Sequence, residues 1–548
     1  MKDMALWNEG DWIAAIASVI LAAFLIVGAY AVTRPQEEVG GHPKGLYILF
    51  FAEMWERFSY YGMRALLIFY LTQHWLFNDS ASNIVYGAYV SLVYITPVLG
   101  GWLADRYLGQ RKAVLFGAVL LTFGHFFMAF EGEPAAGTEN NPIIFVFWLA
   151  LALIIVGSGF LKANISVIVG QLYPRTDTRR DAAYTIFYMG INLGAAIGSL
   201  LCGYIGETYG WAYGFGLAGI GMLAGLVVFL WGQKFLDGKA EPPNPETLKK
   251  SFLGPITVET ACYLAGVVVI AVAMLLVMNA EVIPDWFVGS LGIVIFLGLV
   301  TYAFVQLQGS ERKRMFAAIY FVLAQIPFWA LFEQAGSSLT LFTDRLVDKQ
   351  ILGVNVPTPV FQFLNAGYIV VFAPIFAWMW IALAKRKLEP STPVKFAIGV
   401  FLAGLGFLSL VGGIGMSGAG MTAVGFIFLI YWVHTMGELM VSPVGLSAVT
   451  KLAPARVVGM TMGAWFLYSG LSNYLAGVIA RTTGAETIGG QITDVAAAKA
   501  TYVSVYSNVG YVAMGIGVLM LIVSPIIKSW MKGNELPAES SMVSDEMF

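Results

Sequence analysis

The charged and aromatic residues between Glu53 and Arg64 are the part of this sequence best suited to chemistry. They lie inside an apolar run that extends from Leu46 to Leu76. A charged side chain at the middle of a bilayer costs roughly 2.5–3.5 kcal/mol on insertion scales, so such residues usually face an aqueous cavity and one another. Spacings of three, four, seven and eleven residues from Glu53 place them on one helical face, about three turns long. The members of this face are Glu53, Glu56, Arg57, Tyr60 and Arg64. The stretch therefore predicts the lining of a transport pathway.

Other apolar runs are also interrupted by ionisable or amide side chains. Lys162 has more than ten residues of its run on each side, which favours a cavity position over a lysine that snorkels to the interface. Asn192, in a helix of small residues, suits either a cavity or an interhelical hydrogen bond. Glu333 and Glu438 place carboxylates in the second half of the chain. The membrane interior then holds more acidic than basic groups, which predicts an exchangeable proton.

The composition excludes most other functional classes. The chain has 548 residues, of which 58% are hydrophobic and 12% charged, unlike soluble domains. This indicates an all-α polytopic membrane protein. A net charge of −2 gives no reason to expect nucleic acid as a partner. Cys202 and Cys262 cannot form a disulfide framework, and the four histidines lie too far apart along the chain to suggest a metal site. No cofactor is expected.

The distribution of basic residues predicts the topology. A span needs about 20 apolar residues, and by that measure the sequence contains fifteen candidate spans, among them 256–279, 286–308 and 314–343. Small residues near Ala29 resemble a signal-peptide cleavage site, but the acidic segment before the first span and Arg34 after it favour a retained anchor helix. With the N-terminus outside and the C-terminus in the cytoplasm, most of the 31 Lys and Arg residues lie inside, as the positive-inside rule requires.

The spans divide into two halves. The proline-rich linker at Lys239–Ser251 is followed by two spans without charge inside the membrane, which suggests inserted scaffold helices. Without these two and the first span, twelve remain, six on each side of the insertion, with a substrate site expected between the halves at mid-membrane. The predicted units are an extra N-terminal helix (1–43), a first six-helix bundle (44–235), the linker with two inserted helices (236–311), a second six-helix bundle (312–532) and a disordered tail (533–548).

Three motifs carry a resemblance to a known family. The Gly100–Lys112 loop, with Asp105 and Arg106 between glycines, resembles the signature loop of the major facilitator superfamily. Together with the Glu53–Gly62 stretch and the Phe187–Gly194 segment, it makes the whole chain similar to the proton-dependent oligopeptide transporter family, bacterial branch. The two extra helices between the halves fit that branch, whereas the additional first span departs from it.

The resemblance implies proton-coupled import of di- and tripeptides across the bacterial inner membrane by alternating access. Glu438 and Asn365 would hold the peptide amino end, and Arg57 and Lys162 would face its carboxylate. The remaining substrate-binding residues implied are Tyr60, Tyr61, Tyr94, Asn192, Ser442 and Trp465. For proton coupling and gating the resemblance implies Glu53, Glu56, Arg64 and Glu333. We expect Arg64 to pair with Glu333, and Lys162 with Glu438, to close the outer side.

Other functions stay open at this point. The same branch includes carriers of nitrate and other small solutes, against which Glu438 and Asn365 argue because they suit an amino-bearing substrate. A channel or a peptide-sensing receptor fits the two equal halves and the charge pairs less well. An enzyme is disfavoured because no nucleophile–base pair or metal cluster is apparent. No oligomer is implied.

Overall fold

The computed structural model describes residues 38–132, 142–174, 177, 179–283, 285–454, 458–488 and 491–532. The predicted first span and the predicted disordered tail lie outside the described residues. The long helices, numbered in chain order, are α1 (Lys44–Phe69), α2 (Asp79–Leu103), α3 (Gly109–Met128), α4 (Ile143–Gln171), α5 (Arg180–Tyr209), α6 (Trp211–Gly232), α7 (Val258–Met278), α8 (Asp285–Gln306), α9 (Gly309–Phe332), α10 (Phe363–Lys385), α11 (Thr392–Ser417), α12 (Gly425–Leu452), α13 (Val458–Arg481) and α14 (Val495–Met531).

Short elements join these helices. Single π-helical turns extend α1 and α2 at Tyr70–His74 and Ala104–Leu108. The short helices are Gln233–Phe235, Pro245–Lys249, Glu333–Gly336, Ser338–Leu346 and Thr358–Gln362. Among the residues described, five two-stranded ladders lie in the loops: Glu38–Val39 with His42–Pro43, Ser251–Leu253 with Ile256–Thr257, Val347–Asp348 with Thr422–Ala423, Gln350–Ile351 with Val354–Asn355, and Thr487–Ile488 with Gln491–Ile492. The pair involving Val347 is parallel and the others are antiparallel.

Hydropathy explains most of the helices. Within the described residues, 11 helical stretches are long and apolar enough to cross a membrane, and one of them, Asp79–Met128, runs through both α2 and α3. The helix α1 has 26 residues but does not meet the same criterion of apolarity and charge. The charged residues on one face of α1 lower its hydropathy below that criterion. Nearly all residues of α1 are nonetheless buried. A helix this polar is stable in a membrane only when protein surrounds it.

Two large hydrophobic cores divide the described part of the chain. The first is built mainly from α1 to α6 and includes Cys262 and Ile270 of α7. The second is built from α9 to α14 and includes Leu299 and Ala303 of α8. The two inserted helices therefore pack on different halves. This confirms the predicted all-α polytopic fold class, and the two cores agree with the expected division into two bundles.

Close packing fixes the position of α1 within the first bundle. A Cβ atom at Gly194 of α5 would lie 2.1 Å from the carbonyl oxygen of Met54. The helices α1 and α5 can approach this closely only because that position has no side chain. The contact holds α1 directly against α5 within the first bundle.

The two bundles meet through α2 with α13 and through α5 with α10. Asn83 donates a hydrogen bond to the carbonyl oxygen of Ala480 at 3.2 Å. One turn deeper, a Cβ at Gly87 would lie 2.6 Å from the Cα of Gly477. These halves of α2 and α13 are therefore in backbone contact. They lie on the side that the positive-inside rule predicts to be the exterior, which is called the outer side below.

Candidate functional site

The charged residues in the N-terminal part of the α1 face contact one another. The Nε of Arg57 lies 2.8 Å from Oε1 of Glu53 and 2.7 Å from Oε2 of Glu56. Ser158 of α4 donates a hydrogen bond to Oε1 of Glu56 at 3.4 Å. The three charged residues are each at most 3% exposed. Two carboxylates thus share one guanidinium inside the first bundle.

A cavity of about 410 Å³ lies between the two bundles. Helices α1, α2, α4 and α5 form one wall, and α9, α10, α12 and α13 form the other. Twelve of the predicted site residues line it: Glu53, Arg57, Tyr61, Arg64, Tyr94, Lys162, Asn192, Glu333, Asn365, Glu438, Ser442 and Trp465. The volume falls within the range of roughly 300–1,000 Å³ that is typical of small-molecule sites.

The walls of the cavity differ in charge. On the first bundle, Lys162 holds its Nζ 3.7 Å from the ring centroid of Tyr94, a cation–π contact. On the second bundle, the Nδ2 of Asn365 donates to Oε2 of Glu438 at 2.8 Å and to Oγ1 of Thr435 at 3.1 Å. A ligand in the cavity therefore meets cations on one side and a carboxylate positioned by an amide on the other.

The outer end of the cavity is closed by an ion pair between the bundles. An Nη atom of Arg64 contacts Oε2 of Glu333, and its Nε donates to the hydroxyl of Tyr86 at 2.5 Å. Glu333 lies where α9 gives way to a short 3₁₀ turn. Farther out, Arg345 donates to both carboxylate oxygens of Asp79, at 2.6 and 2.9 Å.

The expected contact of Arg64 with Glu333 is present, but the expected pair of Lys162 with Glu438 is not. Among the described residues, no ion pair within 4.0 Å joins these two side chains. The reason is their position, because Lys162 and Glu438 stand on opposite walls of the open cavity. Each contacts a neighbour on its own wall instead, Tyr94 and Asn365.

Two other predicted residues do not line the cavity. Tyr60 is 0% exposed and packs edge-on against Tyr61 with ring centroids 5.2 Å apart. Glu56 is also 0% exposed and lies against Arg57 and Ser158. Tyr60 contacts Tyr61 and Glu56 contacts Arg57, so both residues pack behind side chains that line the cavity.

The cavity also contains residues that the sequence prediction omitted. They are mostly aromatic or amide side chains: Tyr188, Trp329, Phe332, Gln362, Tyr431, His434, Ser469 and Asn473. Helical spacing could have indicated two of them, because Tyr188 lies one turn before Asn192 and His434 one turn before Glu438. In the described part of the chain, no group of three or more His, Cys, Asp or Glu residues is placed to hold a metal ion.

Comparisons with known proteins agree with this architecture. A family model described as "PTR2: POT family" matches residues 111–495. The uncharacterized transporter YclF of Bacillus subtilis is 36% identical over 91% of this chain and 97% of its own length. The peptide transporter YePEPT of Yersinia enterocolitica is 36% identical over 80% of this chain and 88% of its own. A point variant of the peptide transporter POT, solved in complex with alafosfalin, superposes with a TM-score of 0.77 at 36% identity, over 92% of this chain and 99% of that one. This integral membrane protein therefore belongs to the bacterial proton-dependent oligopeptide transporter family, as its motifs predicted.

Proposed function

We propose that the protein is a proton-coupled symporter that imports di- and tripeptides by alternating access between its two bundles. The observation that carries the proposal is the division of charge across one cavity, with Arg57 and Lys162 on one wall and Glu438 with Asn365 on the other. A peptide zwitterion has one charge at each end, so contacts with its two termini fix its orientation in the cavity independently of its side chains. Broad tolerance of peptide side chains follows.

Within this proposal, Glu438 and Asn365 bind the peptide ammonium group, and Arg57 and Lys162 face its carboxylate. Asn192 and Ser442 offer hydrogen bonds, while Tyr61, Tyr94 and Trp465 form side-chain pockets. Tyr60 supports the site from behind the wall. The names of the relatives, a peptide transporter and a permease of di- and tripeptides, support this substrate class.

Proton coupling is assigned to Glu333, with Glu53 and Glu56 as a second proton-responsive group. Protonation of Glu333 removes the charge that holds Arg64, which weakens the outer closure and shifts the population of states. Each inward proton supplies about 2.3 kcal/mol per 100 mV of membrane potential. The topology that this requires is a C-terminus in the cytoplasm of a bacterial inner membrane, with bundles at 44–235 and 312–532.

The decisive experiment is uptake of labelled dialanine into liposomes under an imposed inward proton gradient. We expect accumulation that is saturable and is competed by a tripeptide, but not by a single amino acid or nitrate. Glu333→Gln should abolish uphill accumulation and keep peptide counterflow, in which no net proton is required. Accumulation by Glu333→Gln at the parent level would refute its role, and competition by nitrate alone would refute the substrate class.

The amino-end assignment has its own test. Asn365→Ala removes the hydrogen bond to Glu438, an interaction with a charged group that contributes about 1.5–3 kcal/mol. We expect the KM for dialanine to rise roughly 10- to 150-fold. Transport of N-acetyl-dialanine, which has no ammonium group, should change much less. An equal loss for both peptides would show that Asn365 does not serve the amino end.

A further inference from the structure

A second cavity, separate from the central one, lies on the lipid-facing side of the second bundle. It has a volume of about 430 Å³ and is bounded by α8, α9 and α13. Its lining is almost wholly apolar, with Ile293 and Phe296 from α8, Leu323 and Ile326 from α9, and Leu471 and Leu475 from α13. The space is kept open at Gly289, where a Cβ would meet no atom within 4 Å.

One end of this crevice is polar. Asp285, the first residue of α8, accepts a hydrogen bond from Arg481, the last residue of α13, at 2.7 Å. Tyr474 donates to the other carboxylate oxygen at 3.1 Å. The Asp285 side chain is 44% exposed and that of Arg481 is 34% exposed. An acid and a base, both reachable by solvent, thus stand together at the mouth of an apolar slot.

We propose that this crevice binds one phospholipid with a primary ammonium headgroup, phosphatidylethanolamine, from the outer leaflet. An acyl chain fills the apolar slot between α8 and α13. The headgroup places its phosphate against Arg481 and its ammonium against Asp285, so each member of the existing ion pair gains a second partner of opposite sign. Phosphatidylglycerol offers no cation to Asp285. Phosphatidylcholine has a cation but no N–H donor, which makes it the weaker ligand.

The position of the crevice links the lipid to the outer closure. The lining residues Leu475 and Val478 belong to the same turns of α13 as Gly477 and Ala480, which contact α2. One face of this segment therefore meets the lipid and another holds the first bundle. A lipid seated in the crevice braces α13 in the position seen here.

Native mass spectrometry of the full-length protein, titrated separately with the three lipids, tests the proposal. We expect one tight phosphatidylethanolamine adduct, bound at least tenfold more strongly than phosphatidylcholine or phosphatidylglycerol. Gly289→Leu fills the slot and should abolish the adduct. Gly298→Leu is the matched control, because Gly298 lies in the same helix, also has no atom within 4 Å of its Cβ position, and does not line the crevice. This control should keep the adduct.

A second variant separates the headgroup from the slot. Asp285→Asn leaves the apolar lining intact and should reduce the preference for phosphatidylethanolamine over phosphatidylglycerol to less than threefold. Equal binding of all three lipids by the parent protein, or a full adduct on Gly289→Leu, overturns the proposal. Because Asp285→Asn changes a single exposed polar group, its result is informative even if Gly289→Leu does not fold.

Discussion

The ion pair between Arg64 and Glu333 should behave as a gate whose strength depends on burial. Arg64 is 6% exposed and Glu333 is 4% exposed. Removing one partner of a buried ion pair typically costs about 3–5 kcal/mol, because the other charge is left without compensation. Replacing both partners by apolar residues of similar size is often neutral. The gate can therefore be dissected with Glu333→Leu, Arg64→Met and the double variant.

The contacts of Arg64 set the expected magnitude. In Glu333→Leu, Arg64 keeps the hydroxyl of Tyr86, at 2.5 Å from its Nε, so the lower end of the range applies, about 3 kcal/mol. The substitution raises the free energy of the outer-closed state by this amount. It does not raise that of the outer-open state, because there the bundles have parted and water solvates Arg64. Since 1.4 kcal/mol corresponds to a factor of ten, the outer-open population should rise about 100-fold.

Labelling of a single cysteine from outside measures that population. Ser469 lines the cavity inside the gate, so Ser469→Cys reacts with a membrane-impermeant maleimide only when the outer side opens. The native Cys202 and Cys262, both buried, are replaced by alanine. In right-side-out vesicles we expect Glu333→Leu to label about 100-fold faster than the parent, and the double variant to return to within several-fold of it.

Two outcomes would refute this reasoning. If Glu333→Leu labels like the parent, the ion pair does not hold the outer side closed. If the double variant labels as fast as Glu333→Leu, uncompensated charge is not the cause of opening. Glu389→Gln is the matched control, because Glu389 pairs with Lys395 at 2.5 Å within the second bundle and should leave the labelling rate unchanged.

Two further predictions concern the outer contact and the linker. Gly87→Ala places a methyl group 2.6 Å from the Cα of Gly477. This overpacking should weaken outer closure by about 1–3 kcal/mol and increase the labelling rate of Ser469→Cys. Gly101→Ala in the same helix is the control, because the nearest atom to its Cβ lies at 4.0 Å, and it should leave the labelling rate unchanged. The hydrogen bonds from Arg111 lower the pKa of Glu241 below its ordinary 4.5, so the stability that the pair contributes is present above about pH 4.5 and is lost as pH falls through the lower folded pKa. Glu241→Gln should lower the Tm in detergent at pH 7, by the equivalent of at most about 1 kcal/mol because the pair is exposed. The Tm difference from the parent should shrink as the pH falls below 4.5, and a difference that stays constant over that range would count against the pair.

Helical spacing alone identified the α1 face but not which edge of it meets the cavity. At about 100° per residue, Glu53, Arg57, Tyr61 and Arg64 form a stripe about 80° wide, and these are the residues of α1 that line the cavity. Tyr60 and Glu56 fall beyond one edge of that stripe. Because α1 is buried on nearly all sides, hydropathy could not distinguish the side that meets the cavity from the side that packs on α4.

Hydropathy placed the two inserted helices to within a few residues, but it missed the break at Glu333. The sequence predicts one span over 314–343, whereas α9 ends at Phe332 and is followed by a 3₁₀ turn and a separate short helix. The break depends on a distant partner. A Cβ at Gly336 would lie 1.8 Å from the hydroxyl of Tyr86, so this turn is shaped by α2. A local pattern carries no signal for such a contact.

Of the two ion pairs expected between the bundles, Arg64 with Glu333 is present and Lys162 with Glu438 is not. Arg57 contacts Glu53 and Glu56 on its own helix, and that contact follows from spacing. Lys162 and Glu438 belong to different bundles, so their separation depends on the conformation of the protein. The sequence shows that both charges are present, but it does not show which conformation the two bundles adopt and therefore how far apart the two side chains lie.

This difference separates the roles of the α1 charges. The contacts of Arg57 with Glu53 and Glu56 lie within the first bundle and move with it, whereas the contact of Arg64 with Glu333 breaks whenever the bundles part. Under the proposed mechanism, a peptide carboxylate that reaches Arg57 must compete with two carboxylates already in contact with it. Protonation of either one lowers that competition while leaving the bundles free to move. Substrate affinity and gate opening can therefore respond to protons at two places on the same helix, and the two responses can be separated by varying Glu53 and Glu333 independently.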